Sequence, residues 1–216
     1  MLSTEMTAGK TAPYNPKHKA KEMEIKITLI EELLGTASAD PDIHREFIAS
    51  KAPDAKSMEE EVEAIGVDAV EAKARTIFPK DGGKPFLWDY QIKGFFKDAC
   101  GMLARVPGTQ SNKLKAYRKI IDGLVFPQPR RIFLILPNGK ALGDCQRPLR
   151  AHTAQGERIA LAASETAPPG TTLECEIKLL DDRLEKVIEE WLNYGALRGL
   201  GQWRNSGKGR FVWKVE

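Results

Sequence analysis

The strongest constraint on the fold lies mid-chain. Across 88–105, Ile92, Phe95, Phe96, Ala99, Cys100 and Leu103 recur at i, i+3, i+4, i+7, i+8 and i+11. That spacing puts all six on one face of a helix. Lys93 and Lys97 sit one turn apart on the other side, and Pro107 and Gly108 stop the helix. A helix with one apolar face needs a sheet or another helix to cover it. Two alternating runs supply a sheet. In 24–34, Ile25, Ile27 and Leu29 alternate with Lys26 and Thr28, and Leu33 and Leu34 extend the run to Gly35. In 171–180, Leu173, Cys175, Ile177 and Leu179 alternate with Thr172, Glu174, Glu176 and Lys178. Both have the period of half-buried strands.

The remaining segments fit around this frame. Apolar runs at 120–126 and 131–136 are candidate strands, separated by Pro127 and Pro129, and the second ends in a Pro137-Asn138-Gly139 turn. Residues 157–164 suit another strand, followed by a Pro168-Pro169-Gly170 turn. Asp182 can cap a last helix, in which Leu184, Val187, Ile188, Trp191 and Leu192 keep helical spacing and Gly195 weakens the end. Residues 210–215 suit a closing strand. The order predicts an α+β, ferredoxin-like (RRM-like) β-α-β-β-α-β core. Residues 57–75 read as an acidic helix with a thin apolar stripe of Val62, Ile65 and Ala69. Little of it can pack, so 40–85 is expected to be a partly helical insertion after the first strand. Residues 1–22 are polar, contain Pro13 and Pro16, and lack the apolar stretch of a signal peptide. They are expected to form a flexible arm ahead of a single domain at 23–216.

Composition narrows the function classes. At 216 residues, with 42% hydrophobic and 29% charged residues, the chain can bury a real core. The three cysteines Cys100, Cys145 and Cys175 lie far apart with no Cys-x-x-Cys pair. They indicate neither a zinc site nor a disulfide framework, but free thiols in a reducing, cytoplasmic setting. No metal, cofactor or membrane partner is expected. The net charge is only +3, so any basic surface must be local.

The best candidate for such a surface is the tail. Gly199, Gly201, Gly207 and Gly209 are interleaved with Arg198, Arg204, Lys208 and Arg210, with Trp203 among them. Glycines let backbone N–H groups approach phosphates, arginines bind phosphate with two parallel hydrogen bonds, and a tryptophan can stack on a base. The same segment fits a glycine-rich turn that tucks the last strand back into a sheet, and the sequence leaves both open. A nucleotide-hydrolysing P-loop is excluded. Gly209 stands where Ser or Thr would hold magnesium, Gln202 stands where a glycine is required, and the segment follows a helix. Arg147, Arg150 and His152 form a second basic stretch. His152 has no evident nucleophile or carboxylate to work with and fits a surface or core histidine. Lys93 and Lys97 taken alone fit a solvated helix face.

Four stretches in this order resemble the RAMP superfamily, the RNA-binding proteins of CRISPR effector complexes. EIKITLIEELLGT (24–36) resembles the family's first strand and the glycine after it. DYQIKGFFKDAC (89–100) resembles its first helix, with Lys93, Gly94 and Lys97 where the family has Lys, Gly and a basic residue. ETAPPGTTLECEIKLL (165–180) resembles its Pro-Gly turn entering a strand, and YGALRGLGQWRNSGKGRF (194–211) its glycine-rich loop. Just before the Lys-Gly pair the family has small residues, and here stand Trp88, Asp89, Tyr90 and Gln91. The resemblance covers most of 24–214 and implies a non-catalytic, RNA-binding, backbone-subunit-like protein. It would grip a single strand and work as a homo-oligomer or within a multi-subunit ribonucleoprotein. The nucleic-acid-binding residues would be Lys93, Lys97, Arg147, Arg150, Arg198, Gly199, Gly201, Trp203, Arg204, Gly207, Lys208, Gly209 and Arg210. Two alternatives follow from the same resemblance. One is a metal-dependent endoribonuclease using Asp40 or Asp42, which lie where type III backbone subunits carry a cutting aspartate, or His152 without a metal. No motif fixes either aspartate, and both fit loop residues. The other is a stand-alone RAMP-like protein, for instance virus-borne, that inhibits or mimics a CRISPR subunit.

Overall fold

The structure is a computed structural model and describes residues 20–38, 75–153 and 156–216, with the side chains of 149–160 outside the description. The expected acidic helix up to residue 74, Asp40, Asp42 and residues 1–19 of the expected arm lie outside the described residues. In chain order the elements are β1 (Lys21–Leu29), β2 (Leu33–Leu34), β3 (Ala37–Ser38), β4 (Thr76–Ile77), β5 (Lys80–Asp81), β6 (Lys84–Trp88) and α1 (Asp89–Leu103). There follow α2 (Tyr117–Leu124), β7 (Val125–Gln128), β8 (Arg131–Ile135), β9 (Gly143–Thr153), β10 (Gly156–Ala167), β11 (Thr172–Leu179), α3 (Glu185–Arg198) and β12 (Phe211–Val215).

The architecture is mixed α+β. One sheet has the order β12-β1-β11-β8-β6-β5, with β7 also paired to β11. β1 is antiparallel to both neighbours, with Ile27 opposite Leu173 on one side and Trp213 on the other. Its alternation is the expected one: Met23, Ile25, Ile27 and Leu29 are buried, as are Leu173, Cys175, Ile177 and Leu179 of β11. On this apolar face α1 buries Ile92, Phe95, Phe96, Ala99 and Cys100, and α3 buries Val187, Ile188, Trp191 and Leu192. The Phe96 and Trp191 rings lie 5.4 Å apart, and the indole N–H of Trp191 donates to Ser111 Oγ at 2.8 Å. Each such fully buried aliphatic or aromatic side chain contributes roughly 1.5–3 kcal/mol. Burial also pushes the Cys175 thiol up to about 12, which leaves it protonated and inert. No helix among the described residues is long and apolar enough to cross a membrane.

A second sheet has the order β2-β10-β4-β3, with β9 on β10 in a long hairpin. Its register runs from Gly156 opposite Thr153 to Thr166 opposite Gly143. Arg147, Arg150 and His152 therefore lie along a strand.

Several expectations are corrected. Residues 120–126 are not one strand: they form the end of α2 and the start of β7. Only Ile121 of α2 is fully buried. Leu33 and Leu34 do not continue β1 but cross to the second sheet, opposite Ala167 and Thr166. β1 itself begins at Lys21, so it takes in the end of the expected arm. Trp88 belongs to β6 and stands at the N-cap of α1, where its N–H donates to Gln91 Oε1 at 2.7 Å. The described part of the expected insertion, 75–85, contributes β4, β5 and the start of β6. Asp182 does not cap α3. Asp181 accepts from the Arg183 N–H in a short 3-10 turn, and α3 starts without a side-chain cap. Gly195 does not end α3 either. A Cβ there would lie 2.1 Å from the Phe211 ring, so the glycine lets the helix cross directly over β12.

Candidate nucleic-acid interface

The glycine-rich loop joins α3 to β12 and folds back on itself. The Leu200 N–H donates to the Gly209 carbonyl at 2.8 Å, and the Gly209 N–H donates to the Glu32 carbonyl at 2.7 Å. Gly199 and Gly209 have φ of 77° and 73°. A Cβ on Gly209 would stand 2.0 Å from the Leu200 carbonyl oxygen, and one on Gly199 would stand 2.5 Å from that of Lys208. Only glycine combines this backbone conformation with so close an approach. These two glycines thus serve the tucked turn, and they place the loop beside the chain between β1 and β2. Gly201 packs against Leu33, and Gly207 packs against the guanidinium of Arg210.

Most of the loop's cations have partners within the protein. Arg198 Nε donates to Asp98 Oδ2 at 2.9 Å, and Arg204 Nη1 reaches the same oxygen at 2.7 Å. Partial burial would raise the Asp98 carboxyl, but the hydrogen bonds and charges of the two arginines outweigh it and hold Asp98 below the usual carboxylate range. The Lys208 ammonium, 2.6 Å from Glu32, is raised above its ordinary value by that hydrogen bond. Lys93 and Lys97 point elsewhere. Lys97 pairs with Asp122 of α2 at 2.6 Å, and Lys93 donates to the Asp122 carbonyl and lies 4.4 Å from the Phe126 ring centre. Desolvation there lowers the Lys93 ammonium.

Two cations differ. The Arg147 guanidinium, on β9, stands 5.0 Å from the Trp203 ring centre. Its Nη2 donates to Gln202 Oε1 at 3.3 Å, and Gln202 Nε2 in turn donates to the Gly35 carbonyl at 2.8 Å. Arg147 Nε and Arg210 Nε are buried without an acceptor. Neither arginine has a carboxylate partner among the described residues. A buried donor left unpaired costs about 1–3 kcal/mol. Trp203, beside Arg147, is 38% exposed. The structure thus brings Arg147 into contact with Gln202 and Trp203 of the glycine loop, from 55 residues away in sequence.

Sequence reasoning missed Arg75 and assigned no role to Gln202. Arg75 forms an ion pair with Asp144 of β9, and its Nε is a third buried donor without an acceptor. Arg75 follows the acidic segment and shows no pattern of its own, so only the fold reveals it. For Arg150 and His152 the backbone lies in β9, opposite Ile159 and Glu157, and the side chains are outside the description.

No protein-family profile matches the chain, and no curated protein matches it in sequence. Its fold is shared with a chain of the Type III-B Cmr-beta complex bound to cognate target RNA, at a TM-score of 0.50 and 15% identity over 92% of this chain. The chain spans 60% of the length of that Cmr-beta chain. A chain of a Type IV-B CRISPR complex has 11% identity and a TM-score of 0.43 over 91% of this chain and 90% of its own. Cmr6 from Pyrococcus furiosus has 12% identity and a TM-score of 0.44 over 90% of this chain and 99% of its own. The RAMP resemblance drawn from the four sequence stretches and the similarity of fold agree.

Proposed function

We propose that this chain is an RNA-binding subunit of a CRISPR-like ribonucleoprotein that grips a single strand through its phosphates. The ferredoxin-like reading of its core rests on the antiparallel path β12-β1-β11-β8, with α1 and α3 in the two crossover connections. The observation that carries the function is the Arg147 guanidinium set against half-exposed Trp203, together with the buried, acceptor-free Nε atoms of Arg147 and of Arg210 in the same loop as Trp203. In this mechanism Arg147 and Arg210 take phosphate oxygens, and Trp203, covered on one side by Arg147, offers its remaining surface to a base. Arg198, Arg204 and Lys208 hold the loop in shape through Asp98 and Glu32, so their contribution to binding is indirect. Lys93 and Lys97 brace α1 against α2.

Fluorescence anisotropy with a labelled single-stranded RNA tests this. Affinity is expected to fall with salt along a slope of about −0.7 per phosphate neutralised. The double substitution Arg147→Ala, Arg210→Ala is expected to weaken binding and flatten that slope. Unchanged affinity and slope in a double variant with a native circular dichroism spectrum would overturn the assignment.

A further inference from the structure

An aromatic and arginine cluster lies where β6 enters α1, outside the site just described. The Trp88 and Tyr90 rings are 14° from parallel with centres 6.2 Å apart. Phe86 stands edge-on to Trp88 at 4.9 Å and to Phe133 of β8 at 6.0 Å. The Arg130 guanidinium lies 5.3 Å from the Trp88 ring centre and 5.6 Å from that of Tyr90. Arg131 lies 5.7 Å from the Phe86 ring centre and 6.0 Å from that of Trp88. Despite these contacts Tyr90 remains 53% exposed and Phe133 37%. On β11, the strand beside β8, the outward residue Glu174 is exposed and gives Phe133 no apolar cover. Aromatic surface held this rigidly in solvent marks a binding site more often than chance exposure does.

The chemistry of the occupant follows from the charges. Arg130 is neutralised by Asp89 at 2.7 Å, and Arg131 by Asp81. The cluster is therefore a set of flat π-surfaces with no net charge to spend on phosphates. It suits stacking of a planar ring, and a nucleobase is the ring that the neighbouring site calls for. The two sites share one support. Gln91, which holds the Trp88 N–H, donates through Nε2 to Thr36 Oγ1 at 2.6 Å. The preceding residue, Gly35, accepts from Gln202, the partner of Arg147. Gln91, Thr36, Gly35 and Gln202, joined by hydrogen bonds and the Gly35–Thr36 peptide, thus link the aromatic cluster to the Arg147 and Trp203 corner.

Resting on the proposed function, we infer that one single-stranded nucleic acid spans both places: phosphates bind at Arg147 and Arg210, and a base farther along the strand stacks on Tyr90 and Trp88. The two contributions differ in kind. The first is electrostatic and falls with salt; the second is stacking and does not.

The test uses the full chain, with oligouridylates of four and of sixteen nucleotides, titrated by anisotropy at several salt concentrations. The wild type is expected to bind the longer probe more tightly than the site count alone gives. Tyr90→Ala is expected to weaken the longer probe about tenfold, within the range of stacking losses, with an unchanged salt slope and no effect on the shorter probe. Tyr90→Phe, which keeps the ring, is expected to restore binding. If Tyr90→Ala leaves the long probe untouched while Arg147→Ala weakens both, the stacking site is overturned and the phosphate site stands. If no wild-type binding occurs with either probe, both fall together. If Tyr90→Ala instead converts an oligomer to monomers in sedimentation without changing RNA affinity, the cluster is a docking surface for a second copy, and the inference is wrong.

Discussion

The outward face of the first sheet and the corner at Arg147 carry opposite chemistry. On the sheet, Glu22, Glu24, Glu174 and Glu176 alternate with Lys26 and Lys178, which are tied up across the strands: Lys26 with Glu174 at 2.5 Å and Lys178 with Glu22 at 2.7 Å. Glu24, Glu174, Glu176 and Glu216 meet in a shallow cleft beside Pro129. Carboxylates in excess on a flat, solvated face repel a polyanion. Arg147 at the corner and Arg210 in the adjoining loop have no carboxylate partner among the described residues, and their buried Nε atoms lack acceptors. A net charge of +3 hides this division. Under the proposed function, a nucleic acid is expected on the loop side of the sheet and not across its acidic open face.

The largest effect that would erase the contrast is structural. Gly209→Ala would drive a Cβ to 2.0 Å from the Leu200 carbonyl at a positive φ. Left-handed strain and overpacking together predict a loss of about 3 kcal/mol or more in chemical denaturation. Amide exchange should rise first in 199–210, because the loop's closing bonds to Leu200 and Glu32 break. An alanine there with wild-type stability would mean that the loop is not held as described. Next in size is the double substitution Arg147→Ala, Arg210→Ala, expected to cost about 2 kcal/mol in binding, roughly thirtyfold, at low salt. Removal of the two unpaired Nε donors partly offsets the lost Arg147–Gln202 hydrogen bond and the lost packing on Trp203 and Gly207, so stability is measured alongside binding.

How far the sequence reveals each region depends on whether its order is local. The stripe on α1 and the alternation in β1 and β11 are legible because each element buries one face and exposes the other. β6 escapes because Pro85, Phe86 and Leu87 are all buried, which leaves no alternation to see. Residues 120–126 mislead because apolar residues crowd both the last turn of α2 and the first of β7. At the site, the sequence points to the loop residues but not to their roles. Arg198 and Arg204 sit among glycines as phosphate ligands would, and their carboxylate partner, Asp98, is on a different helix. Arg147 meets Trp203 only because β9 pairs with β10 and β10 carries β2 back under the loop. Such juxtapositions arise from pairing between distant strands and leave no periodic trace.

The Asp98 node sharpens the contrast at a smaller scale. Asp98→Asn removes the shared carboxylate and leaves two partly buried guanidiniums facing each other, at an expected cost of about 1–2 kcal/mol. The sign with pH follows from the direction of the shift. A carboxyl held below its unfolded value stabilises the protein above that value, and the stabilisation is lost as pH falls through the lower, folded value. The gap between wild type and Asp98→Asn should therefore be constant near neutrality and close below the ordinary carboxylate range, where Asp98 takes up its proton. A gap that widens on acidification would show that the ion pairs do not control the loop.

The smallest effect tests the acidic face itself. Neutralising it with Glu24→Gln and Glu176→Gln should raise affinity for single-stranded RNA about twofold at low ionic strength and not at all at about 0.5 M salt, where charges more than a few ångströms apart are screened. Lys26 bridges to Glu174 and Lys178 to Glu22, so both cross-strand bridges survive the change. A gain much above twofold, persisting in high salt, would mean that the strand runs across the sheet after all. The corner at Arg147 would then be one end of its path instead of its anchor.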